Sequence, residues 1–260
     1  QYTFLASGRE TGIHKYDVDG THLGLFNDDI ASVGGLLVID EDTVAVASVN
    51  DGVYFFDYEG RTSTRYRPIS SEDGAQYMTL TDDNVLLFTD TANNVRKSCL
   101  DSSCSTTTLV NWVRDKYFRG VTAIKGTSEF LVVTIIDDGD ESDKMGGVDK
   151  CSVVEPDSCV SIYERSVSGD LFDPRDVVVF DSVIFMNDYS FGKITALTLG
   201  GDYVKELDIG MGDYSMAHQI AIRSGTFAPL SKLIFDPSDL TVTAGQPINL
   251  PLDLRDASNN

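Results

Sequence analysis

Val85-Leu-Leu-Phe-Thr-Asp-Thr-Ala-Asn-Asn-Val-Arg-Lys-Ser-Cys99 reads as strand, polar turn, strand. Weaker copies of the same pattern return roughly every 40 residues. First apolar runs stand at Leu36-Leu-Val-Ile39, Tyr77-Met-Thr-Leu80, Val121-Thr-Ala-Ile124, Val177-Val-Val-Phe180 and His218-Gln-Ile-Ala-Ile222. Second runs follow at Val44-Ala-Val-Ala47, Val85-Leu-Leu-Phe88, Phe130-Leu-Val-Val133 and Val183-Ile-Phe-Met186. After a polar turn come Gly52-Val-Tyr-Phe-Phe56, Asn94-Val-Arg-Lys97, Cys159-Val-Ser-Ile-Tyr163 and Gly192-Lys-Ile-Thr-Ala-Leu197. A fourth, more polar edge strand is expected after most of these, as at Arg61 to Arg67. No apolar period of 3.6 residues is sustained, so helices should be nearly absent.

A single small sheet cannot bury its own face, and a sheet repeated at this period has to stack on its neighbours. The pattern therefore predicts an all-β fold, a β-propeller of about five four-stranded blades over residues 1–225. The two ends are out of phase. Tyr2 to Ala6, Gly12 to Tyr16 and His22 to Phe26 match strands two, three and four of a blade without a first strand. Met216 to Ile222 matches a first strand without followers. A composite blade built from both termini would close the ring and remove an exposed sheet edge; blades lying upstream of residue 1 are the alternative.

Asp90-Thr-Ala-Asn-Asn-Val-Arg96 resembles the core of NHL-type propeller repeats, with degraded copies at Asn187-Asp-Tyr-Ser-Phe-Gly-Lys-Ile194 and Asn50-Asp-Gly-Val-Tyr-Phe-Phe-Asp57. In such repeats the Asp and Asn side chains cap the turn between strands two and three, as residues that hydrogen-bond locally do. The resemblance supports the fold and leaves the chemistry open, because propellers host lyases, lactonases and binding modules.

Past residue 226 the repeat stops. Residues 226–238 read as a linker. Asp239-Leu-Thr-Val-Thr-Ala-Gly-Gln-Pro-Ile-Asn-Leu-Pro-Leu-Asp-Leu-Arg-Asp-Ala-Ser-Asn-Asn260 is similar to the opening strands of a filamin-type or bacterial-type immunoglobulin-like domain. Only an incomplete sandwich fits in so few residues, which implies further domains of the same protein. A proline-rich tail packed on the propeller is the other reading.

Forty-one acidic against 20 basic residues give a formal charge of −21. Nucleic-acid binders need clustered basic charge, so that class is excluded. Solubility at high salt, cation binding or a basic partner all suit this balance. No apolar run reaches transmembrane length, and no signal peptide is recognisable; Gln1 is compatible with a processed terminus.

Cys99 and Cys104 flank one turn, Cys151 and Cys159 another. Neither spacing nor any nearby His suits zinc, and two local disulfides are expected, implying an oxidising, extracellular or cell-surface setting. Ser105-Thr-Thr-Thr108 offers O-linked glycan acceptors at Thr106, Thr107 and Thr108, although such a run also simply forms strand.

The candidate chemistry is sparse. Lactonase-like propellers hold a divalent cation at the channel mouth, where Asp51, Asp90, Asn187 and Asp188 end second strands; turn capping explains each of them fully and is the favoured reading. His218, on an innermost strand, is the histidine placed to face the channel, and His14 and His22 sit on outer strands. A propeller lyase would want several histidines in a metal or general-base role, and only these three are present. The acidic insertion Asp137 to Lys150 matches an EF-hand poorly; it is either a solvated loop or an irregular calcium site of Asp137, Asp138, Asp140, Glu141 and Asp143. Trp112, Tyr117 and Phe118 fall in a connection and suit inter-blade packing.

Two function classes follow. One is an extracellular, non-enzymatic binding and assembly module, the propeller head of a larger cell-surface or filament protein. The other is a secreted, metal-dependent hydrolase or lyase of lactonase type.

Overall fold

A computed structural model of the chain describes residues 2–6, 12–17, 21–30, 32–100, 104–111, 116–136, 145–166, 173–189, 192–208, 217–220 and 233–235. Its first sheet holds β1 (Tyr2–Ala6), β2 (Ile13–Asp17) and β3 (His22–Asn27) in that order. The second runs β4 (Val33–Val38), β5 (Thr43–Ser48), β6 (Gly52–Asp57) and β7 (Ile69–Ser70). The third holds β8 (Met78–Leu80), β9 (Val85–Thr89), β10 (Val95–Cys99) and β11 (Thr107–Val110). The fourth holds β12 (Lys116–Ala123), β13 (Glu129–Ile136), β14 (Met145–Ser152) and β15 (Cys159–Ser166). The fifth holds β16 (Pro174–Phe180), β17 (Val183–Asp188), β18 (Lys193–Thr198) and β19 (Tyr203–Asp208). Finally β20 (Ala217–Ile220) pairs with β21 (Leu233–Phe235).

Every pairing is antiparallel between chain neighbours, the meander that turns signalled in the sequence allow. The described residues contain no helix, and hence none long and apolar enough to cross a membrane. Second strands are the most thoroughly buried: every residue of β5 is buried, as are six of the eight in β13. Their near-continuous Val, Leu and Ala runs follow from being covered on both faces, as strands in the middle of stacked sheets are.

The core is a series of layers between neighbouring sheets. Ile13 and Phe26 of the first sheet pack with Val44, Val46 and Phe56 of the second. Ala45, Val53 and Phe55 then meet Leu86 and Phe88 of the third. Leu87, Val95 and Leu109 meet Phe118, Phe130 and Val132 of the fourth, and Leu131, Val133 and Val148 meet Val177, Ile184 and Met186 of the fifth. Ile220 of β20 closes the series on Phe185 and Ala196. Each sheet buries its faces against the next, which is the packing that makes a β-propeller.

Several expectations need adjusting. Four sheets have the full four strands, and the first has three, as its phase implied. The strand pairing described for β20 is with β21, on its own side of the junction, rather than with β1. The fourth strand of the second blade is not one run from Arg61 to Arg67. A bridge at Phe56–Thr62 and the two residues of β7 replace it. Tyr117 and Phe118 belong to β12 rather than to a connection, and Phe118 is buried between the third and fourth blades. Trp112 lies outside the described residues, as do the tail from 236 to 260 and the linker segment 226–232.

Both disulfides form. Cys99–Cys104 ties the end of β10 to the approach to β11, and Cys151–Cys159 joins directly opposed residues of β14 and β15. From the lengths of the loops they close, reduction is expected to cost roughly 2 kcal/mol for the first and roughly 2.5 kcal/mol for the second. Urea unfolding with and without reductant measures this, and an unchanged midpoint would contradict it.

Candidate binding site at the channel mouth

The motif that identified the fold is a closed turn. Asp90 is fully buried; its Oδ1 accepts the Asn94 backbone N–H at 2.8 Å, and its carboxylate accepts the Asn94 amide and Arg96 Nε. Asn93 takes the left-handed conformation (φ 65°) that Asn tolerates, and its N–H returns to the Asp90 carbonyl at 3.2 Å. Arg96 also reaches Asp73 with Nη2 at 2.7 Å. Asp90 is thus committed to its own hairpin.

The other acids and amides expected at the mouth are placed similarly. Asp51 accepts from Ser48 Oγ at 3.1 Å within its turn and is exposed. Asn187 Oδ1 accepts the Asp176 backbone N–H at 2.6 Å. Asp188 is buried at the end of β17, and its carbonyl accepts the Gly192 N–H at 3.2 Å. The described contacts do not join these four residues into one cluster. Among the described residues no three His, Cys, Asp or Glu side chains gather as a cation site.

His218 lies in β20. His14 Nδ1 and His22 Nε2 sit 3.0 Å apart on an exposed face of the first sheet, hydrogen-bonded to each other. Asp137, Asp138, Asp140, Glu141 and Asp143 lie outside the described residues. The end of that insertion, Met145 to Lys150, is strand β14, and its Asp149 is buried and accepts from Lys116 Nζ at 2.5 Å. Asp149 is therefore an internal ion-pair partner rather than the last ligand of a loop. Thr107 and Thr108 lie in β11, and Thr106 Oγ1 donates to Ser98 Oγ at 3.2 Å.

A different cluster emerges where the innermost strands begin. Four of them carry a bulge near their start: between Val33 and Gly35, Phe118 and Val121, Pro174 and Val177, and Ala217 and Gln219. A bulge inserts an extra residue and re-aims the side chains around it. The starts of neighbouring first strands lie against one another. A Cβ at Gly34 would overlap the backbone of Gln76, and one at Gly120 would overlap the Cα of Asp176. Asp176 Oδ2 in turn accepts the Ile220 N–H at 2.8 Å, tying β16 to β20. Equivalent hydroxyl and amide groups of second strands steady these bends: Thr89 Oγ1 accepts the Tyr77 N–H at 3.3 Å as Asn187 does for Asp176.

This geometry assembles Tyr77, Arg119, Asp173, Arg175 and Asp176. Burial pushes the Asp176 carboxyl up to about 7, against the pull of the Ile220 and Val177 N–H donors. Burial, and then the charge of Asp176, raises the Tyr77 phenol. The Arg119 guanidinium is lowered by burial and next by Arg175, the like charge beside it. Arg175 Nη2 donates to Asp173 Oδ2 at 2.6 Å, and its guanidinium stacks 4.5 Å from the centroid of the Tyr189 ring. Arg119 stands 5.9 Å from the Tyr117 ring.

The sequence did carry a signal for these residues, in Phe118-Arg119-Gly-Val and Pro174-Arg175-Asp-Val, an Arg two positions before a first-strand apolar run. The motif-centred reading passed over it because a lone Arg before a strand resembles any solvated edge.

No protein-family model matches this sequence, and no curated protein sequence matches it. Among solved structures, virginiamycin B lyase from Staphylococcus aureus is similar at 16% identity, over 85% of this chain and 70% of the lyase chain, with TM-score 0.59. Its catalytically inactive histidine-to-alanine variant with quinupristin matches with the same figures. A chain of a nidogen/laminin complex matches at 12% identity, over 79% of this chain and 92% of that chain, with TM-score 0.42. The likeness to the lyase establishes what this chain shares with it, the β-propeller fold.

Proposed function

We propose that this chain is an extracellular, non-enzymatic binding and assembly module, the propeller head of a larger modular cell-surface or filament protein. The observation that carries the reading is the commitment of the acids at the second-strand ends. Asp90 is committed to closing its hairpin and Asn187 to holding a bulge, while the guanidinium Nε atoms of Arg119 and Arg175 are among the buried polar atoms without a partner in the described residues. Guanidiniums recognise; they do not supply a nucleophile or a proton acceptor. Two disulfides suit an oxidising compartment. The similarity of the tail to an immunoglobulin-like domain supports a modular protein.

The metal-dependent hydrolase or lyase is the reading this proposal displaces. Purified chain incubated with γ-butyrolactone, p-nitrophenyl acetate or quinupristin, with Ca²⁺ or Mg²⁺, is expected to give no turnover above buffer. Cation-dependent turnover lost in Asn187→Ala would overturn the binding reading. Protease treatment of intact cells is expected to release the propeller from the native protein, whereas its protection until lysis would overturn the extracellular assignment.

A further inference from the structure

We propose that Arg119 and Arg175, where β12 and β16 begin, form a carboxylate-binding site, which takes a side-chain or C-terminal carboxylate of a protein partner. The inference rests on the binding reading above and names what is bound. The two residues occupy corresponding bulge positions on β12 and β16, which touch where Gly120 meets Asp176. Glycine at 120 is what allows the two backbones, and with them the two arginines, to come so close.

Their hydrogen-bonding is incomplete in a specific way. Arg119 Nε and Arg175 Nε are both buried and have no acceptor among the described residues, and Asp173 Oδ1 in the same cluster is buried without a donor. A buried donor without an acceptor is costly, and most of the cost returns when an acceptor arrives. Asp173 pairs with Arg175 through Nη2 alone, so the Nε–H of Arg175 remains outside that pair. The rings of Tyr189 and Tyr117 beside the guanidiniums favour the presentation of N–H edges rather than faces.

Charge points the same way. Against two guanidiniums stand Asp173 and Asp176, and burial pushes the Asp176 carboxyl up to about 7, so that it is only partly ionised near neutrality. The cluster therefore carries about half a unit of uncompensated positive charge near pH 7, in a chain whose formal charge is −21. Two single N–H donors and a positive excess match two oxygens and a negative charge, which is a carboxylate. The surrounding acidic surface repels a strongly acidic partner, so the carboxylate has to arrive on a neutral or basic segment.

Titration of the purified chain with sodium acetate, with a lysine-containing hexapeptide bearing one Glu, and with inorganic phosphate tests this, read from the arginine Nε–Hε NMR signals. Acetate and the peptide are expected to shift the Arg119 and Arg175 signals together and to saturation, leaving exposed Arg61 and Arg65 unmoved. Arg119→Gln and Arg175→Gln should each weaken the response roughly tenfold or more. Phosphate binding more tightly than either carboxylate probe would overturn the assignment, as would equal shifts at Arg61 and Arg65 or none at Arg119 and Arg175. The titration of the unaltered chain decides the matter even if a variant fails to fold. Failure here leaves the no-turnover and cell-surface results standing; lactone turnover would sink the binding reading without altering these shifts.

Discussion

Asp90→Ala is expected to destabilise the propeller by about 3 kcal/mol, which lowers the thermal midpoint by about 10 °C for a domain of this size. The carboxylate is fully buried and accepts from three groups: the Asn94 backbone N–H, the Asn94 side chain and Arg96. Removing it orphans the turn donor and leaves a guanidinium with three-quarters of its surface buried short of its nearest counter-ion. Asp73 still pairs with Arg96 at 2.7 Å, which keeps the loss toward the lower end of the range for a broken buried pair. Asp90→Asn retains an acceptor for the Asn94 N–H and loses the charge, so it should fall between the two. Differential scanning calorimetry on the three proteins measures the series. A shift below about 2 °C for Asp90→Ala would mean that the network contributes little beyond surface pairs.

The same residue shows what a sequence can reveal. Asp90-Thr-Ala-Asn-Asn announces a tight turn because Asp and Asn hydrogen-bond to nearby backbone, and that chemistry is local. Period-2 apolar runs announce strands for the same local reason. Blade phase followed from counting such runs, and the inter-blade layers joining Phe88 to Phe55 or Phe118 to Leu87 follow from the need to bury both faces of each sheet. The bulges are different. Whether Arg119 stands at a solvated edge or in a packed mouth depends on one extra residue in β12 and on the arrival of β16 beside it. Neither is encoded within a few residues of Arg119. The paired cysteines lay between these cases: Cys151 and Cys159 flank a visible turn, and the register of β14 with β15 then sets them directly opposite each other.

This division has a consequence for function. The residues that are easiest to recognise, Asp90 and Asn187, hold the scaffold, and their side chains face their own hairpin or bulge. Arg119 and Arg175, whose Nε donors are buried without an acceptor among the described residues, belong to no repeat motif. A repeat conserves what every blade needs in order to fold, so a site unique to one arc of the ring has to be built from positions where the copies differ. The corresponding position in the third blade holds Gln76, ahead of β8, where no bulge is described, and the fourth and fifth blades hold Arg119 and Arg175.

Between pH 5 and pH 8 the chain is expected to lose about 3 kcal/mol of stability through Asp176 alone, and Asp176→Asn should remove that slope. An unfolded Asp titrates near 3.9, whereas in the fold burial pushes Asp176 up to about 7. The folded chain therefore holds the proton more tightly than the unfolded one. The stabilisation is fully present below about pH 4 and is lost as the pH rises through about 7. Asp57 and Glu206 work in the opposite sense. Hydrogen bonds and charge from Arg61 hold the first below its ordinary value despite some burial, and Lys193 and Arg165 do the same for the second. Their contributions are present above the usual carboxylate range and fade only in more acid solution, outside this window. Urea midpoints for both proteins at pH 5, 6, 7 and 8 isolate the effect, because every other titrating group is common to the pair. Parallel pH profiles in the two proteins would show that Asp176 is ionised in the fold. The carboxylate site would then have no positive excess. The expected divergence, by contrast, would tie the charge of the mouth to the same buried carboxyl that fastens β16 to β20.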